Sequence, residues 1–152
     1  MSNLFFPALQ DLGERITRSQ RLLLVLEYDG TLTPVVEDPS HAQLSTSMRQ
    51  ALRTLARRDD VTVAVISGRG QADLQDRVDI PGVILMSNHG LEINGPDLNF
   101  SEPAALVASR SLHALAQELA QRLRLIEGTV VEDKGLTLSV HFRRVAPFHR
   151  EE

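Results

Sequence analysis

Three short apolar runs, each halted by a polar cluster, constrain this fold more than any other feature of the sequence. Leu22 to Leu26 stops at Glu27-Tyr28-Asp29-Gly30-Thr31, Val61 to Ile66 at Ser67-Gly68-Arg69-Gly70, and Val83 to Met86 at Ser87-Asn88-His89-Gly90. Runs this short and this uniformly apolar fit strands buried on both faces, the habit of parallel sheets. The stretches between them read as helices. Ser45 suits an N-cap ahead of Met48, Ala51, Leu52 and Leu55, Arg57 and Arg58 suit the helix end, and a shorter helix follows Gly70 to about Val78. Strand, helix, strand, helix, strand implies right-handed crossovers. Ligands of such sheets sit beyond the carboxyl ends of the strands, so Glu27, Asp29, Ser67 and Asn88 are expected around one crevice.

The pattern changes near residue 90. Leu91-Glu92-Ile93 and Leu98-Asn99-Phe100 flank Asn94-Gly95-Pro96-Asp97, a hairpin signal. Pro103 opens a long helix carrying Ala108, Leu112, Leu115, Ala116, Leu119 and Leu123. A second hairpin is predicted from Thr129 to Arg143, where Leu136, Leu138, Val140 and Phe142 alternate with polar residues and so predict one buried face. At the other end Leu4, Phe5, Phe6, Leu9, Leu12 and Ile16 mark a helix expected to lie on the body of the domain. The divisions expected are an N-terminal helix at 1–20, a parallel α/β core at 21–90, an α+β part at 91–145 and a tail at 146–152.

Composition narrows the classes. A length of 152 residues suits one domain, or one with an appendage, and 42% hydrophobic against 24% charged residues predicts a packed core. A net charge of −4 without a basic block disfavours nucleic acid. The absence of cysteine excludes thiolate metal sites and a cysteine nucleophile, and fits a reducing compartment. No apolar run approaches the roughly 20 residues of a membrane span and no signal-peptide pattern opens the chain, so the expectation is a soluble cytoplasmic protein without membrane partners. Lys134 is the only lysine, and any chemistry that needs one has a single candidate.

Two carboxylates two residues apart at a strand end, followed by Gly30-Thr31, suit metal-assisted phosphoryl chemistry, in which one acid attacks or holds a cation and the other manages the leaving-group proton. A turn with solvated acids fits the same residues. Ser67-Gly68-Arg69 puts a hydroxyl and backbone N–H groups near a helix start, which suits an anion, although Ser-Gly also occurs in plain turns. His41, His113 and His149 read as ordinary solvated residues, His141 falls on the polar side of the last strand, and no His pair has zinc-ligand spacing.

In order along the chain, Leu26-Glu27-Tyr28-Asp29-Gly30-Thr31-Leu32-Thr33-Pro34, Glu37-Asp38-Pro39, Ile66-Ser67-Gly68-Arg69, Asn88-His89-Gly90-Leu91-Glu92-Ile93 and Val131-Glu132-Asp133-Lys134-Gly135-Leu136 resemble the motifs of trehalose-6-phosphate phosphatases of the haloacid dehalogenase-like superfamily. The resemblance implies an α/β fold with a Rossmann-like parallel core, here partial, followed by part of an α+β cap. It implies hydrolysis of trehalose 6-phosphate through a carboxyl-phosphate with Mg2+. By the same likeness Glu27 stands at the nucleophile position and, with Asp29, at the metal. Asp29 matches the general acid/base. Thr31, Ser67, Gly68 and Arg69 match the phosphate-binding stretches, Asn88 and His89 the passage from core to cap, and Glu132 and Lys134 the cap hairpin that reaches the sugar, so that Asn88, His89, Glu132 and Lys134 are expected to bind the substrate.

Two departures shape the expectation. The family's first acid is an aspartate, and the extra methylene of Glu27 displaces an attacking oxygen by about 1 Å, a misplacement that costs on the order of 10²-fold. The resemblance also implies a further core segment with a phosphate-contacting lysine and a second acidic metal motif, whereas the sequence ends at Glu152 with its lysine in the cap hairpin. A truncated chain with a weak or incomplete Mg2+ site and impaired turnover is expected. The rival expectation is a non-catalytic remnant that binds a sugar phosphate or a partner protein. A phosphoacceptor signalling domain also sets acids at parallel strand ends, but the cap-like half and Asn88-His89-Gly90 argue against it. Open sheet edges in a partial core lead to the expectation of a homodimer or strand exchange.

Overall fold

Strand β1 (Leu22–Glu27) pairs in parallel with β2 (Val61–Ile66) along its whole length, Leu22 opposite Val61 and Glu27 opposite Ile66. The computed structural model describes residues 5–149. Strand β3 (Ile84–Ser87) continues the parallel set beside β2. A 3-10 turn, Asn88–Gly90, then reverses the chain, and β4 (Glu92–Gly95) and β5 (Leu98–Ser101) join antiparallel to give one five-stranded sheet in the order β1-β2-β3-β4-β5. The fold is α/β with a mixed sheet. The change of pattern read near residue 90 is the switch from parallel to antiparallel pairing, and it falls within this sheet. A separate two-stranded sheet holds β6 (Val130–Asp133) and β7 (Leu138–His141).

The helices are α1 (Phe5–Arg18), α2 (Thr46–Ala56), α3 (Gln71–Val78) and α4 (Pro103–Arg122). Ser45 caps α2 as its sequence predicts, accepting the Met48 N–H at 3.1 Å, while Leu52 from the same helix enters the core. Helix α2 packs on β2, α3 on β3 and α4 on β6. The core gathers Tyr28, Leu32, Leu44, Leu52, Val63, Val65, Leu74, Val78, Ile80, Val83 and Leu85. No helix among the described residues is long and apolar enough to cross a membrane.

Three sequence expectations need correction. Strand β1 alternates rather than being buried on both faces: Leu23 is 63% and Val25 47% exposed, because β1 is the edge of the sheet and the core lies on one of its faces. The α1 stripe of Leu9, Leu12 and Ile16 stays exposed, while the side chains of Phe5 and Phe6 and all of Leu4 lie outside the described residues. In the last hairpin burial fades along the strand, from buried Leu136 to exposed Val140 and Phe142.

Candidate functional site

The carboxyl ends of β1, β2 and β3 open on one side of the sheet, and the loops leaving them carry the polar residues singled out by the sequence. Arg69 is the hub. It is buried, and its guanidinium donates from Nε to Asp29 Oδ2 at 2.9 Å and from Nη2 to Asp29 Oδ1 at 2.8 Å, a two-pronged grip. Further bonds run from Nη1 to Asp73 Oδ2 at 2.7 Å and from Nη2 to the Pro39 carbonyl at 2.8 Å. The guanidinium lies 5.3 Å from the Tyr28 ring centroid, within cation–π range. With these donors engaged inside the protein, the side chain of Arg69 orients Asp29.

Ser67 is buried, accepts the Arg69 backbone N–H at 3.2 Å and sits 3.4 Å from Asp29 Oδ2. Thr31 is exposed on the turn after Asp29. Glu27 is also exposed, yet its carboxyl is raised above the ordinary range by lost hydration at the strand end and then by the Asp29 charge, with His89 and the backbone N–H groups of Asp29 and Tyr28 pulling the other way. His89 stacks where a Cβ on Gly68 would fall, so glycine at 68 is what admits the imidazole. His89, expected in the core-to-cap passage and at the substrate, lies near Glu27 on a left-handed backbone at φ 61°, which the residue types alone do not announce.

The second hairpin closes over this loop. Lys134 has only 11% of its side chain exposed and donates from Nζ to the Gly68 carbonyl at 3.0 Å, with Glu132 Oε2 at 3.7 Å. Glu132 in turn meets His141 Nε2 at 2.7 Å. Asn88 is fully buried and its amide is engaged by Glu92, Lys134 and Thr137. Asp73, Arg77, Glu92 and Thr137 were missed in the sequence because each looks like a surface residue of its element. His113, read as solvated, pairs with Asp133 at 2.6 Å and ties α4 to the hairpin.

The trehalose-phosphatase family model matches residues 25–151. The chain belongs to that family. A trehalose-phosphate phosphatase of Mycobacterium tuberculosis is 40% identical over 79% of the chain and 30% of the relative, and a probable trehalose-phosphate phosphatase D of Arabidopsis thaliana is 30% identical over 85% and 37%. An uncharacterized glycosyl hydrolase of Mycobacterium tuberculosis is 41% identical over 88% of the chain and 10% of the relative. The chain thus spans about a third or less of the length of several curated relatives it matches. Among solved structures, the C-terminal domain of Candida albicans trehalose-6-phosphate phosphatase superposes with a TM-score of 0.74 at 28% identity, covering 95% of this chain and 50% of that one.

Membership in the trehalose-phosphatase family raises the question of Mg2+, which prefers six oxygen ligands in octahedral array. The donors at hand are the Glu27 carboxylate and the Asp29 main-chain carbonyl, and no group of three or more metal-ligating side chains occurs among the described residues. Asp29's own carboxylate is taken by Arg69. Mg2+ ordinarily keeps several waters and takes one or two protein oxygens beside substrate phosphate, so Glu27 and the Asp29 carbonyl would hold it only with water and phosphate completing the octahedron.

Proposed function

We propose that the crevice at the strand ends binds the phosphate end of a sugar phosphate, trehalose 6-phosphate by family, and that this chain turns it over slowly. The observation that carries the reading is the convergence of Asp29, Ser67 and Lys134 from three distant segments, with Ser67 3.4 Å from Asp29 and Lys134 3.0 Å from the Gly68 carbonyl. A hydroxyl, an ammonium and an oriented carboxylate suit a phosphomonoester. In the hydrolytic step a Glu27 carboxylate oxygen bonds to phosphorus as the bond from phosphorus to the sugar oxygen breaks. That oxygen leaves with a proton that Asp29 delivers only after it has taken one up and left the two-pronged grip of Arg69, a further reason for slow turnover, and water then cleaves the acyl phosphate. Glu27, longer than the family's aspartate, supports slow chemistry.

The same substitution favours a second reading, a non-catalytic site that holds a sugar phosphate or serves a partner protein. Phosphate release from trehalose 6-phosphate with Mg2+, measured beside calorimetric binding of the same compound, separates the two. Slow release with binding lost in Ser67→Ala supports the first reading, and binding without release supports the second. Release at about 1 s⁻¹ or faster, an ordinary enzyme rate, overturns the slow-turnover reading. No binding and no release overturns the sugar-phosphate reading altogether.

A further inference from the structure

Asn88, expected at the substrate, has surroundings that point to a further task. It is 0% exposed and held in the left-handed region at φ 49°. Its backbone N–H donates to the Arg69 carbonyl at 2.8 Å, fixing the end of β3 to the loop after β2. Its side-chain Nδ2 donates to Glu92 Oε2 at 2.6 Å and to the Lys134 carbonyl at 3.2 Å, while Oδ1 accepts the Thr137 hydroxyl at 2.6 Å. Lys134 and Thr137 flank the Gly135-Leu136 turn and are themselves joined by the Lys134 N–H donating to the Thr137 carbonyl at 3.0 Å. One amide therefore grips both sides of the hairpin tip.

The consequence is the placement of a charge. With its carbonyl held by Asn88, Lys134 turns its side chain back across the loop after β2 and delivers Nζ to the Gly68 carbonyl. The approach is close: a Cβ on Gly70 would lie 3.3 Å from the Lys134 carbonyl. A bare turn of this size leaves a lysine free to sample many rotamers, whereas here the held tip and the Gly68 carbonyl keep its ammonium in one place. We propose that Asn88 is a positioning residue, whose amide registers the tip of the β6–β7 hairpin on the end of β3 and thereby holds the Lys134 ammonium at the crevice, with Thr137 as its partner. The proposal rests on reading that crevice as a sugar-phosphate site, since only an anion gives the placed ammonium a purpose.

Because Lys134 is the only lysine, protein labelled with [13Cε]lysine gives one side-chain signal to follow. Asn88→Gly removes the amide and keeps a residue at ease with positive φ. Thr137→Val removes one hydroxyl donor, and Thr137→Ser restores it. The expected result is a signal displaced from the solvated-lysine position in the native protein and in Thr137→Ser, and moved toward that position in Asn88→Gly and Thr137→Val. Affinity for inorganic phosphate, read by titrating the same signal, is expected to fall about tenfold in the two disrupted variants, near the 1.4 kcal/mol that a tenfold change represents. If Asn88→Gly does not melt cooperatively, the valine and serine pair decides. A lysine signal unmoved by Thr137→Val overturns the positioning role. A signal that moves as expected in a protein that never responds to phosphate upholds the placement of Lys134 by Asn88 and overturns the sugar-phosphate reading.

Discussion

Replacing Arg69 with methionine tests the electrostatic hub of the site. Methionine keeps an apolar stem beside Tyr28 and removes the guanidinium together with its four hydrogen bonds, three to carboxylate oxygens and one to the Pro39 carbonyl. Breaking a fully buried ion pair costs about 3–5 kcal/mol, and a surface pair about 0–1. Arg69 is at the buried limit with 10% of its side chain exposed, but Asp29 and Asp73 keep 42% and 40%, so water replaces part of what is lost. The expected destabilisation at pH 7 is therefore intermediate, about 2–3 kcal/mol, or roughly 4–12 °C in Tm for a domain of this size. Its pH dependence has a definite sign. Burial pushes the Asp73 carboxyl up, but hydrogen bonds from Arg77 and Arg69 outweigh burial and hold it below the ordinary carboxylate range. A depressed acid stabilises above its unfolded value and loses that contribution as pH falls through the folded value. The gap between native protein and Arg69→Met is thus full at pH 7 and narrows below about pH 4. Urea unfolding at pH 7 and pH 3 measures both numbers. A pH 7 difference under about 0.5 kcal/mol, or an equal gap at pH 3, refutes the reasoning.

Further expectations concern other parts of the molecule. Glu27→Gln raises thermal stability at pH 7, because a carboxyl raised by lost hydration and the Asp29 charge penalises the folded state above its unfolded value; the advantage disappears in melts taken below about pH 4. Leu52→Ala, at a site 1% exposed, lowers the unfolding free energy by about 2–5 kcal/mol in denaturant titrations, and a loss under 1 kcal/mol, the small change seen at sites that collapse fully, contradicts the core described for α2 and β2. Calorimetry with MgCl2 is expected to show weak binding, and micromolar affinity dependent on Glu27 runs against the two-donor count. Light scattering is expected to show self-association through the open edge of β1, weakened by Val25→Lys; a monomer at every concentration rules that out.

The sequence made the parallel half of the fold legible because each apolar run ends within one residue of its strand's end. Glu27, Asp29, Ser67 and Asn88 were placed around one crevice on that basis alone. The face of β1 was misjudged for a physical reason: Leu22 to Leu26 is apolar at every position, and alternation of burial leaves no mark in a run without polar residues. Arg69 and Asn88 were picked out for the crevice, and their contacts within the protein were not foreseen. Asp73 and Glu92 lie only four residues from Arg69 and Asn88 but across a loop-to-element boundary, whereas Pro39 and Thr137 come from distant segments that leave no spacing to read.

Strand β3 stands between two kinds of pairing, and the difference reaches into the kinetics of folding. On one side Ser87 meets Glu92 as soon as the chain has passed through the left-handed residues Asn88, His89 and Gly90, a contact closed by a very short loop. On the other side Ile84 must find Ala64 across α3, and beyond it Leu22 waits for Val61 across the whole of α2 and the loop before it. Loop closure is cheaper for the first than for the others, so the β3–β4–β5 meander is the natural nucleus and the β1–β2 ladder the last to zip. Destabilising changes in the meander then slow refolding, whereas equal changes in β1 mainly hasten unfolding, a division visible in the two arms of a chevron plot and reversed if the parallel ladder forms first.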